Sequence, residues 1–531
     1  MSAPSRFAAL APLRLPVFRM LWFASVMANV TMWMNDVAAA WTMTTMTTNP
    51  LWVALVQTAS TAPVFLLGLP SGAMADTLDR RKFFLFTQLW VALVALVLGS
   101  VVFLQGLSPL LLLLLTFANG IGMAMRWPVL AAVIPEVVPR AELPNALGLN
   151  SMSMNASRII GPIVAGALIA SAGSAWVFLL NAVLSICTVV IIARWRREHH
   201  PSPLGREPLL TAMRVGLQYV AQSQGLKNVL LFSALTFFHL TGLTALLPLV
   251  AHGLQGDAGT FTLLLATMGA GAVSATFVVP HLRHRVTRDA LILRGSLLLS
   301  AATATIAWTD QLWLAVLAMY LFGAAWFTQA NVLSVATQIY LPDWVRARGM
   351  ALFQMSVMGA GAAGAAVWGQ VASHSSVPHS LWLAAASGTV SMAVALRLRP
   401  DSGRIDDLTP HREFTPPQTD TPPPPGRVLV EIEFRIDPAR ADEFRALMCE
   451  ESRANRLRLG ARSWELLEDL GTPGRFLELF EEASWTDHLR RYDRITAADV
   501  ALRERRLAFH QGSELPTVTR YLMESTVKRD A

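Results

Sequence analysis

The sequence predicts an all-α membrane protein of twelve transmembrane helices in two six-helix pseudo-repeats, followed by a small α+β domain on the cytoplasmic side. Three observations predict it. The 531-residue chain is 53% hydrophobic and only 15% charged, too apolar for a protein whose whole surface meets water. Its lysines and arginines gather in every second loop between apolar runs. Landmarks of the first apolar stretch return in the second at an offset of roughly 200 residues.

Each span is a run of about 20 mostly apolar residues, enough to cross about 30 Å of hydrocarbon. Such runs fall near 17–41, 51–74, 83–104, 108–134, 146–170 and 174–194, then 226–251, 260–281, 289–308, 311–339, 349–373 and 380–397. The N-terminus carries Arg6, Arg14 and Arg19. Every second loop is then basic: Arg80, Arg81 and Lys82; Arg140; Arg194 to Arg214 and Lys227; Arg283, Arg285 and Arg288; Arg346 and Arg348; Arg397 and Arg399. The loops between have neither Lys nor Arg, so both termini are expected in the cytoplasm. A formal charge of +7 invites nucleic acid as a partner, but span orientation accounts for the basic residues, and none is expected. Cys187 and Cys449 fit neither a disulfide framework nor a metal site, and no cleavable signal peptide is expected.

In the repeat, Arg80 falls on Arg283, Lys82 on Arg285, Gly120 on Gly323, Pro139 on Pro342, Gly161 on Gly364 and Gly166 on Gly369. Two bundles joined by the polar stretch 195–225 predict a transporter whose substrate path runs between them near the bilayer midplane.

The stretch "GAMADTLDRRK" interrupts the apolar runs with dense charge. Through Gly72, Asp76, Arg80 and Arg81 it resembles the loop signature of the major facilitator superfamily, with Thr77 and Asp79 departing from the pattern. The resemblance implies a cytoplasmic gate. Gly72 permits close helix approach, Asp76 pairs with an arginine or caps a neighbouring helix, and the basic residues make contacts that break as the bundles rock. The other reading is that Arg80, Arg81 and Lys82 only orient the helix. In span five, "NASRIIGPIVAG" resembles the antiporter motif of the superfamily through Gly161, Pro162 and Gly166. This implies a kink that favours export, a packing kink alone being the alternative. In span four, "NGIGMA" matches only the glycine end of its motif, Thr116 standing in place of the usual arginine and Arg126 lying further along.

Ionisable groups inside spans are costly and are functional suspects by default. Asp36 shares a helix face with Asn29 and is the leading proton-coupling candidate, or else a structural pair at the external rim. Arg158 shares a face with Ser151 and Asn155. It acts on Asp36, binds an anionic substrate, or is a structural arginine neutralised by carbonyls. Arg126 and Gln329 hold corresponding repeat positions and, with Asn29 and Asn155, are assigned to the substrate path. Trp33, Met34, Met123, Met125, Met152 and Met154 suit either an adaptable pocket or packing against lipid.

Residues 1–399 are thus read as the transporter, 400–426 as a Pro-rich linker and 427–531 as a folded domain. In the last, "RVLVEIEFRI" alternates as a strand, a helix follows from Pro438 to Leu459 with Asp437 as cap, and "RSWELLEDL" and "RFLELFEEA" form a hairpin. A helical segment from Trp485 and the strand "TVTRYLM" complete a β-α-β-β-α-β order. That order, with "EEASWTDHLRRYDR", resembles the ferredoxin-like domains of antibiotic-biosynthesis monooxygenases. The resemblance implies pairing into a homodimer and binding of an aromatic molecule or haem through Trp464, Trp485, His488 and His510. A noncatalytic binding or dimerisation role is favoured, and no cofactor or metal is assigned.

The whole chain, "MNDVAAAWTMTTMTTNPLWVALVQ" included, resembles the transmembrane secretion effector (enterobactin exporter-like) branch of the superfamily. This implies a bacterial inner-membrane exporter, not an enzyme, that moves a small amphipathic metabolite, siderophore or drug by proton entry. Two other classes stay open: a membrane ligand sensor signalling through its tail, and a transporter fused to an active oxygenase.

Overall fold

The computed structural model describes residues 8–139, 142–195, 209–254, 256–283, 285–398, 406–411, 414–417, 419, 423–512 and 514–524. Twelve helices there are long and apolar enough to cross a membrane. The first half holds α1 (Pro16–Met46), α2 (Pro50–Thr77), α3 (Arg80–Phe103), α4 (Pro109–Val137), α5 (Leu143–Ala172) and α6 (Ser174–Arg194). A shorter helix, α7 (Leu209–Ala221), precedes the second half: α8 (Gln224–Gly253), α9 (Ala258–Arg283), α10 (Arg288–Trp308), α11 (Leu312–Ile339), α12 (Arg346–His374) and α13 (Val377–Leu398).

The chain starts these helices with local signals. Asn49 and Ser108 accept backbone N–H groups at the heads of α2 and α4, each followed by a proline that needs no donor there. Gly173, at φ 94°, makes the left-handed step between α5 and α6 that a side chain would strain. On α3, Phe84, Val91, Ala95 and Leu98 are buried while Phe86, Leu89, Leu93 and Leu96 are exposed. An exposed apolar stripe of that length is stable in lipid, not in water.

Glycines show how the halves repeat. A Cβ at Gly120 would meet the Ser60 carbonyl, and one at Gly323 the Met268 carbonyl; Gly161 faces the Val30 carbonyl, and Gly364 that of Phe238. Gly166 meets Thr262 across the halves, and Gly369 meets Ala54 in return. The glycines are 203 residues apart in each pair, but their partners are 208 apart. One offset therefore does not carry the whole repeat, and matching Arg80 with Arg283 and Lys82 with Arg285 is corrected. Arg80 opens α3 behind its cap Asp79, and its positional counterpart is Arg288, which opens α10 behind its cap Thr287. The slip arises because α3 has 24 residues against 21 in α10 and its following turn, 104–108, is longer than 309–311.

Two compact units emerge: one of Met1–His200, Leu230–Val335 and Ala351–Arg399, the other of Pro201–Val229, Ala336–Met350 and Pro400–Ala531. The second contains β1 (Arg427–Arg435), α14 (Ala441–Leu447), α15 (Arg453–Arg458), β2 (Ser463–Glu468), β3 (Arg475–Glu482), α16 (Trp485–Tyr492), α17 (Ala497–Leu507) and β4 (Thr517–Met523). Its strands form one antiparallel sheet in the order β2-β3-β1-β4, with Val430 opposite Phe480 and Phe434 opposite Phe476. This is the split β-α-β arrangement. Asp437 caps the first turn after β1 as expected, accepting from the Ala439 N–H at 3.0 Å. Part of the Pro-rich stretch lies on the sheet domain: His411 N–H donates to the Ile495 carbonyl, and the Asp407 carbonyl accepts from Ala498 N–H.

Within this unit Arg214 and Gln218 of α7 donate to the carbonyls of Gly460 and Ala461 at 3.2 and 2.7 Å. The helix-facing side of the sheet buries Phe434, Phe444, Phe476 and Phe480, and among them Glu478. Glu478 accepts a two-pronged bond from Arg456 at 2.9 and 2.8 Å and a third from Trp464 Nε1 at 3.0 Å. These partners hold its carboxyl down at about 2 against the cost of burial. His488 Nδ1 donates to Glu482 at 2.6 Å while its Nε2 accepts from Arg520 Nε at 3.0 Å. Because Arg520 can only donate, His488 is neutral with its proton on Nδ1. Burial lowers its pKa accordingly. His510 accepts from the Arg435 backbone N–H at 3.1 Å, and the Trp485 ring stacks on His488.

Candidate functional site

One face of α1 organises the candidate site, since Asn29, Trp33 and Asp36 follow the i, i+4, i+7 spacing that stacks side chains along a helix. Arg126 of α4 donates to Asn29 Oδ1 at 3.1 Å, and Asn29 Nδ2 reaches Ser153 of α5 at 3.4 Å. This chain ties three helices of the first half together. Arg126 is 2% exposed, so its charge is carried in the protein interior and does not reach an interface. Asp36 accepts from Ser60 of α2 at 2.8 Å. No basic nitrogen of the described residues lies within 4.0 Å of it, and the expected influence of Arg158 on Asp36 is not exerted through an ion pair.

Arg158 sits instead between two indoles, 5.1 Å from the Trp33 ring centre and 4.1 Å from that of Trp326. Trp33 belongs to the first half and Trp326, on α11, to the second. Gly161 brings α5 and α1 together beside this cage, since a Cβ there would come within 2.5 Å of Trp33 Cβ. Pro162 has no N–H to give to the carbonyl of Arg158, four residues back. Beyond Asp36 toward the α1–α2 turn, Trp41 stacks on His252 at 4.7 Å and lies 5.9 Å from Phe261, joining the halves at that end.

Gln329 is 1% exposed and donates to the Ile292 carbonyl at 2.6 Å and to Ser296 at 3.0 Å. It is tied into the α10–α11 seam, whereas its counterpart Arg126 reaches α1. The side chains of Asn155 and Asp76 lie outside the described residues. At the expected gate, a Cβ at Gly72 would meet no atom of the described residues within 4 Å, so the expected close helix approach is not made by any described neighbour. The departure from the loop pattern has a structural role, as Asp79 caps α3 by accepting from the Arg81 and Lys82 N–H groups at 2.9 and 3.2 Å. Arg81 also donates to the Ala193 carbonyl.

Sequence reasoning missed Trp326, Ser60 and His239. A tryptophan in mid-span and not in an interfacial belt was the available signal for Trp326, and an ionisable group in mid-span was the signal for His239. The His239 ring bonds back to the Leu235 carbonyl at 2.7 Å beside a small cavity lined by Ser296, Ser300 and Thr303. Ser60 gave none, because a lone span serine is common and only its carboxylate neighbour makes it distinctive.

Two halves of six helices, repeated glycine contacts and a seam carrying buried charge give the chain the two-bundle architecture of the major facilitator type. The family model described as "Transmembrane secretion effector" matches residues 7–528, and the chain belongs to that family of multi-pass bacterial membrane proteins. It is similar to Macrolide efflux protein A of Streptococcus pyogenes, 25% identical over 241 residues, 44% of this chain and 58% of the relative, so the match spans under two thirds of that protein's length. It is also similar to the Enterobactin exporter EntS of Salmonella typhi, 25% identical over 311 residues, 58% of this chain and 74% of the relative. Among solved structures, a bacterial homolog to the human lysosomal transporter Spinster, inward-facing and unoccupied, shares the fold with TM-score 0.55 at 16% identity, covering 75% of this chain and 96% of that one. A POT family transporter in complex with 5-aminolevulinic acid does so with TM-score 0.60 at 12% identity, covering 73% and 96%.

Proposed function

We propose that this chain is a secondary active transporter that exports a small amphipathic molecule across the bacterial inner membrane in exchange for protons, by alternating access. The observation that carries the reading is Asp36. Its carboxyl group is held by the neutral hydroxyl of Ser60, on a helix whose Trp33 and Trp41 both meet the second half. A membrane-embedded carboxyl without a permanent counter-ion can be loaded with a proton from one side and unloaded to the other as its surroundings change. With the basic loops in the cytoplasm, the Trp41–His252 contact is the outer closure and the proton enters when it parts. Arg158 belongs to the same coupling site, and Asn29 and Arg126 line the substrate path below it.

The relatives' names suggest enterobactin and macrolides as first trial substrates. Metabolite profiling of cells with and without the chain identifies what is retained in its absence. In proteoliposomes that molecule should move against its gradient when a pH gradient is imposed, and stop when the gradient is collapsed. Gradient-independent flux would defeat the antiport reading. For the tail we propose a noncatalytic role, pairing through the open face of the sheet, where Leu467 and Tyr521 are each 44% exposed. A sensor reading is favoured by the bonds from α7 to the sheet domain, and ligand-dependent tail association without flux would establish it.

A further inference from the structure

We propose that the cage formed by Trp33, Arg158 and Trp326 is a subsite for the anionic, flat, apolar-ringed part of the transported molecule. This rests on the transport reading only for its consequences, because binding itself can be measured without any gradient.

Three buried side-chain atoms at this point have no hydrogen-bond partner among the described residues: Trp33 Nε1, Arg158 Nε and Trp326 Nε1. All three are donors and none can accept, since neither an indole nor a guanidinium carries an acceptor nitrogen. Burying unmet donors costs free energy, and the one charged donor among them, the Arg158 guanidinium, is met best by an acceptor bearing negative charge. No Asp or Glu oxygen of the described residues lies within 4.0 Å of Arg158 to take that part. Asp36, one turn along α1 from Trp33, is engaged with Ser60. The guanidinium is steadied by ring faces at 5.1 and 4.1 Å instead of by a carboxylate, which leaves its N–H edge available to a ligand.

The surroundings add to the selectivity. Arg126, 2% exposed and with its own Nε unpartnered, contributes a second buried positive charge in the same half. A carboxylate or phenolate on an aromatic ring is therefore attracted, whereas an ammonium is repelled. Because Arg158 and Trp33 come from one half and Trp326 from the other, any rocking of the halves separates the walls of the site. Its affinity then differs between the two states, which is the differential binding a carrier requires. One proton entering while one monoanion leaves moves two positive charges inward, so an inside-negative membrane potential drives export together with the pH gradient.

The experiment is isothermal titration calorimetry on the detergent-purified full chain with three probes of one shape: 2-naphthoate, 2-naphthamide and 2-naphthylmethylammonium. Naphthoate is expected to bind at least about tenfold more tightly than the amide, and the ammonium most weakly. Arg158→Gln should remove the naphthoate preference, and Arg158→Lys should restore part of it. Trp326→Phe keeps an aromatic face but removes the indole N–H together with the fused five-membered ring, and it serves where Arg158→Gln does not fold. It should weaken both probes and naphthoate about threefold more than the amide. Tightest binding of the ammonium, or a naphthoate preference unchanged in the variants, overturns the proposal. Anion-selective binding in a chain that moves nothing under a proton gradient would instead leave this subsite standing and remove the antiport reading.

Discussion

The two halves of the membrane unit pack alike and are charged differently. Gly161 and Gly364 receive equivalent carbonyls, and Gly166 and Gly369 reciprocate across the seam. Yet Asp36, Arg126 and Arg158 all lie in the first half, and the positions opposite them are Thr244, Gln329 and Gly361. Packing geometry has stayed common to both halves because a helix seam tolerates few solutions. Among the described residues these three charges lie in one half, so the proposed coupling assigns the chemistry to that bundle and leaves the other as a wall and a lever.

The largest effect that would test this contrast is Asp36→Asn, expected to reduce proton-driven flux at least about 100-fold with normal membrane insertion, while Thr244→Val stays within about twofold. Equal losses in both would show that the halves share the chemistry. Next, Arg126→Gln should lower flux about tenfold and keep the protein folded, whereas Gln329→Arg should lower folded yield by placing an unpaired charge in the α10–α11 seam. Size-exclusion profiles beside flux separate the two outcomes.

Gly364→Ala and Gly161→Ala test the shared packing. An added Cβ would lie 2.1 Å from the Phe238 carbonyl oxygen in the former and 2.5 Å from Trp33 Cβ in the latter. Both should lose about 1–3 kcal/mol of stability in thermal melts, the second-half variant more because backbone yields less than a side chain. A neutral result in either would mean that the seam is looser than the glycine contacts imply.

The smallest effect comes from the tail, where buried charge is paired. Glu478 is held down at about 2, and its contribution is present above the ordinary carboxylate range and lost as pH falls through 4.5 toward that value. The lowered pKa of His488 acts in the same direction, because the unfolded chain takes up a proton below 6.5 before the folded one does. Hydrogen exchange of residues 476–492 in the full chain, corrected for intrinsic rates, should lose protection about threefold between pH 7.5 and 5.5 and more below 4.5. Constant protection over that range would sink the pairing described for His488.

Much of this architecture was legible in the chain. Twelve spans, the Asp437 cap and the strand from Thr517 to Met523 fall where apolar length, capping chemistry and alternation place them. Asn29 and Arg126 were named separately and are found bonded to each other. Trp326 and Ser60 were not readable, since each acquires meaning only from a partner on another helix. Gln329 was assigned with Arg126 by repeat position, yet it turns to α10.

Composition and periodicity determined by themselves that this protein lies in lipid, how often it crosses, and that it consists of two similar halves followed by a small α+β tail domain. Those properties are sums over many residues and survive error at any one. Only the tertiary structure decided that Arg158 rests between indoles of opposite halves, that Asp36 takes a serine as its partner, and that the repeat slips by five residues after α3. Such facts depend on side-chain direction and helix rotation, which a one-dimensional pattern leaves undetermined until the helices pack.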